Sequence, residues 1–244
     1  MSRLLFAVKY DGGSYHGWQV QPNGVTVQQT VQDALQSVVG KRVGVTGCSR
    51  TDSGVHANMF CFHSDVDTNI PPERLTAALN VNLPDDIAVL WCKAVDDDFH
   101  ARYSCKGKNY IYKIYDANVR DPFLRGYALH YKRPLNAELM NEAAQRFIGM
   151  KDFAAFCASG SSVADTVRTV TDCTVRRDNG LVTVSVSANG FLYNMVRIIV
   201  GTLLEVSEGK ISIGELDDII SSCDRSRAGR TAPAYGLYLN EVFY

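Results

Sequence analysis

The chain alternates short strand-like runs with amphipathic helical segments, and this alternation limits it to a layered α+β fold. Residues 4–10 predict a strand, and residues 27–38 predict a helix with one apolar face, opened by a Thr26 cap and ended by Gly40. The other elements predicted in the first half are strands at 42–46, 59–63, 87–93 and 109–115 and a helix at 71–79. The order β-α-β-β-α-β-β predicts a sheet covered by helices.

The second half repeats this pattern in a weaker form. Its predicted strands are 127–131, 169–176, 181–187 and 237–243, and its predicted helices are 136–148, 191–206 and 213–222. Asp178-Asn179-Gly180 predicts a hairpin turn between the middle two strands. We therefore expect two similar sheet-plus-helix halves, residues 1–120 and 121–244, that form a mixed, mostly antiparallel sheet with helices packed on it and a central cleft.

Composition argues against several classes of protein. No apolar run approaches the roughly 18 residues of a membrane span, and Asp11 with two glycines follows the start too soon for a signal-peptide core. Seven cysteines without a CxxC pair predict free thiols and a cytoplasmic location. The His and Cys spacing predicts no metal site, and the absence of phosphate-loop motifs predicts no cofactor.

Positive charge is concentrated in residues 102–133, although the formal net charge of the chain is −1. This stretch contains eight Lys or Arg against two Asp, with seven Tyr or Phe between them. In a nucleic-acid surface, such cations contact phosphates and such rings stack on bases. A sheet with lysines on its solvent face and rings in its core has the same pattern, so composition leaves both interpretations open.

The loop at residues 47–57, Gly-Cys-Ser-Arg-Thr-Asp-Ser-Gly-Val-His-Ala, joins two predicted strands. It places Arg50 and Asp52 two positions apart. A carboxylate beside a guanidinium stays ionised below neutral pH and can act as a nucleophile or stabilise charge. The same residues also form ordinary turns, and a surface Arg–Asp pair contributes little to stability. The loop is therefore a candidate catalytic element, with a simple turn as the alternative.

The predicted helix at 191–206 is apolar on nearly every face, which predicts that it is buried. Arg197 lies in its middle. Because an unpaired buried cation costs several kcal/mol, we expect a carboxylate partner from a distant part of the chain, with Gly201 leaving room for the guanidinium. A structural ion pair, or a side chain that extends to the surface, explains Arg197 equally well.

Six segments in a fixed order resemble those of the TruA-type tRNA pseudouridine synthases. They are Tyr10-Asp11-Gly12 with Gly17-Trp18-Gln19, the 49–57 run SRTDSGVHA, 99–104 followed by 108–112, 167–169, 191–201, and 231–234 followed by 236–239. The resemblance covers the whole chain. Departures are Ser53 for Ala, Asn194 and Ile198 where the family often has His and Asn, and Arg230 where Pro is common.

The resemblance implies roles for individual residues. Asp52 is the nucleophilic aspartate, Arg197 pairs with it, and Tyr110 stacks on the target base and is a candidate base for the late proton transfer. Arg50 helps to extrude the uridine. The substrate-binding residues implied are Tyr110, Arg50, Leu237, Lys108 and Arg102.

The resemblance also implies an activity. The expected reaction isomerises uridine to pseudouridine in the anticodon stem-loop of tRNA, at positions 38 to 40, without a metal or a cofactor. The expected assembly is a homodimer that binds tRNA and no membrane. Whether Asp52 attacks C1′ or removes the 2′ proton is open. Two other classes also suit the residues: a non-catalytic RNA-binding protein, and a hydrolase with Asp52 as its nucleophile and His56 as its base.

Overall fold

The computed structural model describes residues 2–160 and 163–244. Its strands are β1 (Ser2–Tyr10), β2 (Thr46–Gly47), β3 (His56–Val66), β4 (Ile87–Ala94), β5 (Gly107–Asp116), β6 (Leu129–Tyr131), β7 (Gly149–Asp152), β8 (Val167–Asp178), β9 (Leu181–Ala188) and β10 (Leu237–Phe243). Its helices are α1 (Val27–Val39), α2 (Pro72–Asn82), α3 (Ala137–Ala144), α4 (Met195–Ser207) and α5 (Ile213–Ser221).

These elements pack into two compact units. Unit 1 comprises the chain up to Lys106 together with Tyr238–Tyr244, and unit 2 comprises Gly107–Leu237. The predicted halves, 1–120 and 121–244, rest on the repeated sequence pattern rather than on packing. That division, and the cleft expected between the halves, stay predictions.

Strand pairing within each unit is mostly antiparallel. In unit 1 the order is β4-β1-β3-β10, with β2 also paired to β3, and only the β3–β10 pair is parallel among the described pairs. In unit 2 the order is β5-β9-β8-β7, all antiparallel, with β6 parallel to β5. The predicted α+β class with a mixed, mostly antiparallel sheet is confirmed.

Local signals place α1 and the β8–β9 hairpin as expected. The Thr26 hydroxyl accepts a hydrogen bond from the Gln29 amide, and Gly40 ends α1 with a φ of 78°. The hairpin turns at Asn179 and Gly180, which have φ values of 48° and 79°. Both central residues have positive φ, as a tight type I′ turn requires. In each case the signal lies within a few residues of the feature that it specifies.

Several predicted boundaries are wrong. The strand predicted at 42–46 is reduced to Thr46–Gly47, because side chains of α1 take the place of a strand partner: Gln28 donates to the Val45 carbonyl at 2.8 Å and Gln32 to the Val43 carbonyl at 3.2 Å. The helix predicted at 136–148 ends at residue 144 and continues as a 3₁₀ turn. The strand β7 was not predicted from the sequence.

The helix α4 is the most buried helix of unit 2. Ten of its 13 residues are buried, which confirms the expectation for this apolar segment. It begins at Met195 rather than 191, because Asn194 has left-handed backbone angles that a helix cannot include. This late start places Arg197 in the first turn of the helix rather than in its middle.

Candidate active site

The loop that carries Asp52 lies in unit 1 between β2 and β3. The Cys48 amide donates to the Cys61 carbonyl at 2.8 Å, and the Val55 amide donates to the Asp52 carbonyl at 3.1 Å, which closes a turn. Thr51 and Val55 on either side are buried, whereas Asp52 is half-buried. The residues on either side of Asp52 are therefore held in the protein interior, whereas Asp52 stays partly accessible.

Thr51 fixes the residue immediately before Asp52. Its carbonyl accepts a hydrogen bond from the Trp18 amide at 3.1 Å, and its hydroxyl is 2.8 Å from the Tyr10 hydroxyl. Trp18 in turn stacks on Phe60, with ring centroids 3.9 Å apart. Buried, hydrogen-bonded groups of this kind resist displacement because each broken contact leaves a polar group unsatisfied. The backbone at Asp52 is thus held by the core of unit 1.

Two glycines let a second segment approach this loop. A Cβ at Gly12 would lie 1.9 Å from the Val55 carbonyl oxygen, and a Cβ at Gly17 would lie 2.4 Å from the Thr51 carbonyl oxygen. Gly17 also has a φ of 80°, which disfavours any L side chain. These contacts give a physical reason for the Tyr10-Asp11-Gly12 and Gly17-Trp18-Gln19 segments, which otherwise carry no obvious chemistry.

Ser53 and Arg50 lie on the outer side of the loop. The Ser53 hydroxyl donates to the Tyr15 carbonyl at 3.1 Å, a bond that the alanine usual in the family could not make. Arg50 is exposed, and its guanidinium forms no hydrogen bond or ion pair with the residues that the structure describes. The Arg50 side chain therefore faces solvent, two residues before Asp52 in the sequence, and does not hold the loop together.

His56 serves the structure of the loop. Its side chain is only 2% exposed; its Nδ1 accepts from the Gly12 amide at 3.1 Å and is 2.9 Å from the Asp11 carboxylate. The imidazole also stacks on Tyr238, with centroids 4.7 Å apart. A general base for hydrolysis needs access to a water molecule. The enclosed imidazole argues against the hydrolase alternative.

Arg102 lies in a separate turn of unit 1. His100 Nδ1 accepts hydrogen bonds from the amides of Arg102 (3.1 Å) and Tyr103 (3.3 Å), which shapes the turn. Both side chains point outward: Tyr103 is 78% exposed, and the Arg102 guanidinium carbon is 5.9 Å from its ring centroid. The sequence prediction for Arg102 as an RNA contact stays a prediction, and this turn shows that the side chain is accessible.

In unit 2, Arg197 donates to two oxygen acceptors. Its Nε donates to the Ala232 carbonyl at 2.7 Å and its Nη1 donates to the Asn194 side-chain oxygen at 2.6 Å. The Ala232 amide returns a bond to the Arg197 carbonyl at 3.0 Å. Arg197 is half-buried rather than fully buried. The premise that it is a buried cation is therefore only partly correct.

Gly201 has a different role from the expected one. A Cβ there would lie 1.6 Å from the backbone oxygen of Arg230, so the glycine makes room for residues 229–232 and not for the guanidinium. The Gly229 amide donates to the Thr202 hydroxyl at 2.9 Å along the same helix face. The close approach of this segment brings the Ala232 carbonyl to Arg197.

Tyr110 and Lys108 share one face of β5, since alternate residues of a strand point the same way. Tyr110 is 6% exposed and packs edge-to-face against Phe191, with centroids 4.9 Å apart. Lys108 is 8% exposed, and its ammonium makes no ion pair with the described residues. Two positions along, burial raises the pKa of Tyr112, whose hydroxyl donates to the Pro233 carbonyl. Tyr112 is thus a structural phenol.

The predicted site residues fall into both units. Unit 1 holds Asp52, Arg50 and Arg102; unit 2 holds Tyr110, Lys108, Arg197 and Leu237, which is 6% exposed at the start of β10. Phe191, Asn194 and Ala232 were not predicted from the sequence as supporting residues, although all three lie in the resembling segments 191–201 and 231–234. Among the described residues, no group of three His, Cys, Asp or Glu could hold a metal ion, and no helix is long and apolar enough to cross a membrane.

Bacterial relatives match the chain over its full length, and a family profile matches most of it. The family profile described as "tRNA pseudouridine synthase" matches residues 6–104 and 143–244. The "tRNA pseudouridine synthase A" of Thermoanaerobacter pseudethanolicus is 50% identical over 244 residues, which is 100% of each chain. Its namesake from Acetivibrio thermocellus is 48% identical over the same span. A chain in the crystal structure of a Cbf5-Nop10-Gar1 complex covers 80% of this chain and 43% of its own at 14% identity and a TM-score of 0.32, too weak to support an inference.

Proposed function

Because the chain belongs to the tRNA pseudouridine synthase family, we propose that it isomerises uridine to pseudouridine in the anticodon stem-loop of tRNA, at positions 38 to 40. The observation that carries this proposal is the Asp52 loop, whose flanking residues are anchored in the core of unit 1 while its one carboxylate stays partly accessible. Such preorganisation is what a reacting group needs.

The reaction breaks the N1–C1′ bond of uridine, turns the uracil, joins C5 to C1′ and releases the C5 proton. No atom is oxidised or reduced. The Asp52 carboxylate acts at the sugar, either by attacking C1′ or by removing the 2′ proton. An aspartate is suited to both steps because it is ionised at neutral pH and can form a covalent intermediate.

Arg197 is proposed to stabilise the ionised form of Asp52. A guanidinium is always charged and offers its donors in a planar fork that matches a carboxylate. The two hydrogen bonds to Asn194 and Ala232 fix the plane of this fork. Preorganised charge of this kind costs no reorganisation during the reaction.

Tyr110 is proposed to stack on the target base and to assist removal of the C5 proton. The target uridine must leave the base stack, which costs a few kcal/mol, and stacking on an aromatic side chain recovers part of that cost. The edge-to-face contact with Phe191 holds the Tyr110 ring in one orientation. Leu237 is proposed to line the base pocket.

Arg50, Arg102 and Lys108 are proposed to contact RNA. Arg50 and Arg102 are exposed, and none of the three cations has an ion-pair partner among the described residues. Cations without an internal counter-ion can neutralise phosphates and release counterions on binding. For Arg50, its place two residues before Asp52 suits insertion beside the extruded base.

We also propose that the chain acts as a homodimer. Sedimentation or light scattering of the purified protein measures this directly, and a monomer at micromolar concentration contradicts it. A cytoplasmic location stays a prediction.

The first test measures tritium release from tRNA that carries 5-tritiated uridine, followed by mapping of the modified positions. Asp52→Asn should reduce release to background while tRNA binding is retained, because the amide is neither a nucleophile nor a base. Asp96→Asn, which changes an exposed aspartate of unit 1, is the matched control and should be fully active. Release by Asp52→Asn at a substantial rate contradicts its role. Binding without release indicates an RNA-binding protein, and free uracil indicates a hydrolase.

A further inference from the structure

Asn194, the residue before α4, has an unusual conformation. Its φ of 59° and ψ of 11° lie in the left-handed region, and only two other non-glycine residues of the described chain, Asn179 and Cys223, have positive φ. Residues at this position of a helix are normally extended, and their side chains accept a hydrogen bond from the first turn. Asn194 makes no such capping bond. Both the strain and the missing cap oppose stability, and such outliers cluster at functional sites.

The side chain of Asn194 is used elsewhere. Its amide oxygen accepts a hydrogen bond from Arg197 Nη1 at 2.6 Å. The Arg197 Nε also donates a hydrogen bond, to the Ala232 carbonyl at 2.7 Å. Two acceptors on two different nitrogens fix the plane and the direction of the group. With this left-handed backbone, the Asn194 side chain bonds to Arg197 instead of to the helix amides.

The Asn194 amide oxygen is a neutral acceptor, so it does not compensate the charge of Arg197. A carboxylate at position 194 would hold Arg197 equally well in geometry but would neutralise its charge, so that less attraction remained for a second carboxylate. An amide orients the guanidinium and leaves its full charge. Asparagine also tolerates left-handed angles better than most side chains. One residue type therefore combines the required backbone conformation with a neutral acceptor.

We propose that Asn194 is a positioning residue that orients the Arg197 guanidinium without compensating its charge, so that the charge acts on Asp52. This inference rests on the proposed function, in which Arg197 stabilises the ionised aspartate. In this role Asn194 acts through Arg197 and not on the reacting atoms.

The key variant is Asn194→Gly, because glycine keeps the left-handed backbone and removes only the amide. Its single-turnover rate constant should fall by about 10- to 100-fold, since a hydrogen bond to a charged group orients the fork. Its dissociation constant for tRNA should match that of the wild type, and its melting temperature should change little, because relief of the left-handed strain offsets the lost hydrogen bond. Asn179→Gly, at the other left-handed asparagine, is the control and should keep the wild-type rate.

A second variant separates orientation from charge. Asn194→Asp keeps the shape and the acceptor but adds a negative charge beside Arg197. Its rate constant should fall at least as far as that of Asn194→Gly, although Arg197 stays in place. A wild-type rate in Asn194→Asp shows that charge compensation is irrelevant and overturns that part of the proposal.

A double-mutant cycle distinguishes positioning from a general structural effect. In an Arg197→Lys background, Asn194→Gly should cause almost no further loss, because lysine lacks the second nitrogen that Asn194 holds. Full additivity of the two losses contradicts the proposal. Crystal structures of the wild type and Asn194→Gly supply a readout that needs no activity: the Arg197 guanidinium should have one orientation in the first and several in the second.

The two proposals can fail separately. If the wild type releases no tritium from tRNA, the proposed function fails, and the crystal structures still decide whether Asn194 orients Arg197. If the wild type is active but Asn194→Gly keeps both the full rate and a single guanidinium orientation, Asn194 is not a positioning residue.

Discussion

The Asp52 loop of unit 1 and the start of α4 in unit 2 hold their key side chains in different ways. Around Asp52 the protein fixes the backbone: main-chain hydrogen bonds and two closely approaching glycines hold the residues on either side. Around Arg197 the backbone is ordinary helix, and the side chain is fixed at its tip by Asn194 and Ala232. A short carboxylate has few torsions to restrain, whereas a long guanidinium must be restrained at its end.

This difference means that substitutions should act by different routes in the two regions. In unit 1 a substitution that displaces backbone should move Asp52 directly. In unit 2 the guanidinium should respond to changes in these two acceptors, one of which is supplied by residues 229–232. Substitutions paired with matched controls test each side of this contrast.

The largest effect on stability is expected from Gly201→Ala. Alanine normally stabilises a helix interior relative to glycine by about 0.5–1 kcal/mol. Here its Cβ would lie 1.6 Å from the Arg230 carbonyl oxygen, so residues 229–232 must move and we expect a net loss of about 3 kcal/mol. Activity should fall too, because Ala232 moves away from Arg197. Urea denaturation and tritium release measure the two effects.

Gly214→Ala is the control for this substitution. Gly214 lies in α5, and a Cβ there meets nothing within 4 Å. That variant should be neutral or slightly stabilised. If Gly201→Ala behaves in the same way, the packing of residues 229–232 against α4 does not hold Arg197.

The Gly17→Ala substitution should destabilise the protein less than Gly201→Ala does, but it should displace the backbone beside Asp52 directly. The left-handed backbone costs about 1–2 kcal/mol for an L residue, and contact with the Thr51 carbonyl raises the expected total to about 2–3 kcal/mol. Because the displaced backbone adjoins Asp52, the rate constant should fall by about 100-fold. Thermal melting and single-turnover kinetics check both.

The Gly40→Ala variant measures the cost of a left-handed backbone without a steric clash. Gly40 has almost the same φ, 78°, but nothing lies within 4 Å of its Cβ position. It should lose about 1 kcal/mol and keep its full rate. Equal rates for the Gly17 and Gly40 variants would show that close approach to the loop does not position Asp52.

The smallest loss of stability is expected from removing one ion pair in each unit. Arg177 lowers the pKa of the Asp116 carboxyl below its ordinary value of 3.8 through contacts of 2.6 and 2.8 Å. Arg3 lowers the pKa of Asp65 in unit 1 in the same way. The Asp116 side chain is 6% exposed and the Asp65 side chain 44%. We expect Asp116→Asn to destabilise the protein by about 1–2 kcal/mol at pH 7 and Asp65→Asn to destabilise it less.

The pH dependence of this difference has a defined sign. A carboxyl with a lowered pKa in the folded state stabilises the protein above its unfolded pKa, and this contribution is lost as the pH falls through the folded value. The gap between wild type and Asp116→Asn should therefore be constant near neutrality and shrink below about pH 4. Urea titrations from pH 7 to pH 3 test this. A gap that grows on acidification, or equal losses in the two variants, contradicts the assignment.

Much of the fold could be predicted because its signals are local. The helix α1 is specified by apolar spacing and by caps at Thr26 and Gly40, all within a few residues of the helix. The hairpin at Asn179-Gly180 is specified by its own two residues. The strand predicted at 42–46 is mostly absent because carbonyls of this segment accept hydrogen bonds from Gln28 and Gln32 of α1. No local sequence pattern indicates these bonds.

The sequence by itself determined the family, the α+β class and Asp52 as the candidate reactive group, since these depend on residue types in a fixed order. Only the tertiary structure showed that Gly12 and Gly17 support the Asp52 loop, that Gly201 accommodates the Arg230 backbone, and that the Asn194 side chain bonds to Arg197 instead of to the amides of α4. The physical reason is distance along the chain. Gly17 and Thr51 are neighbours only after β1 and β3 have paired, so their contact is a property of the folded sheet and not of either segment.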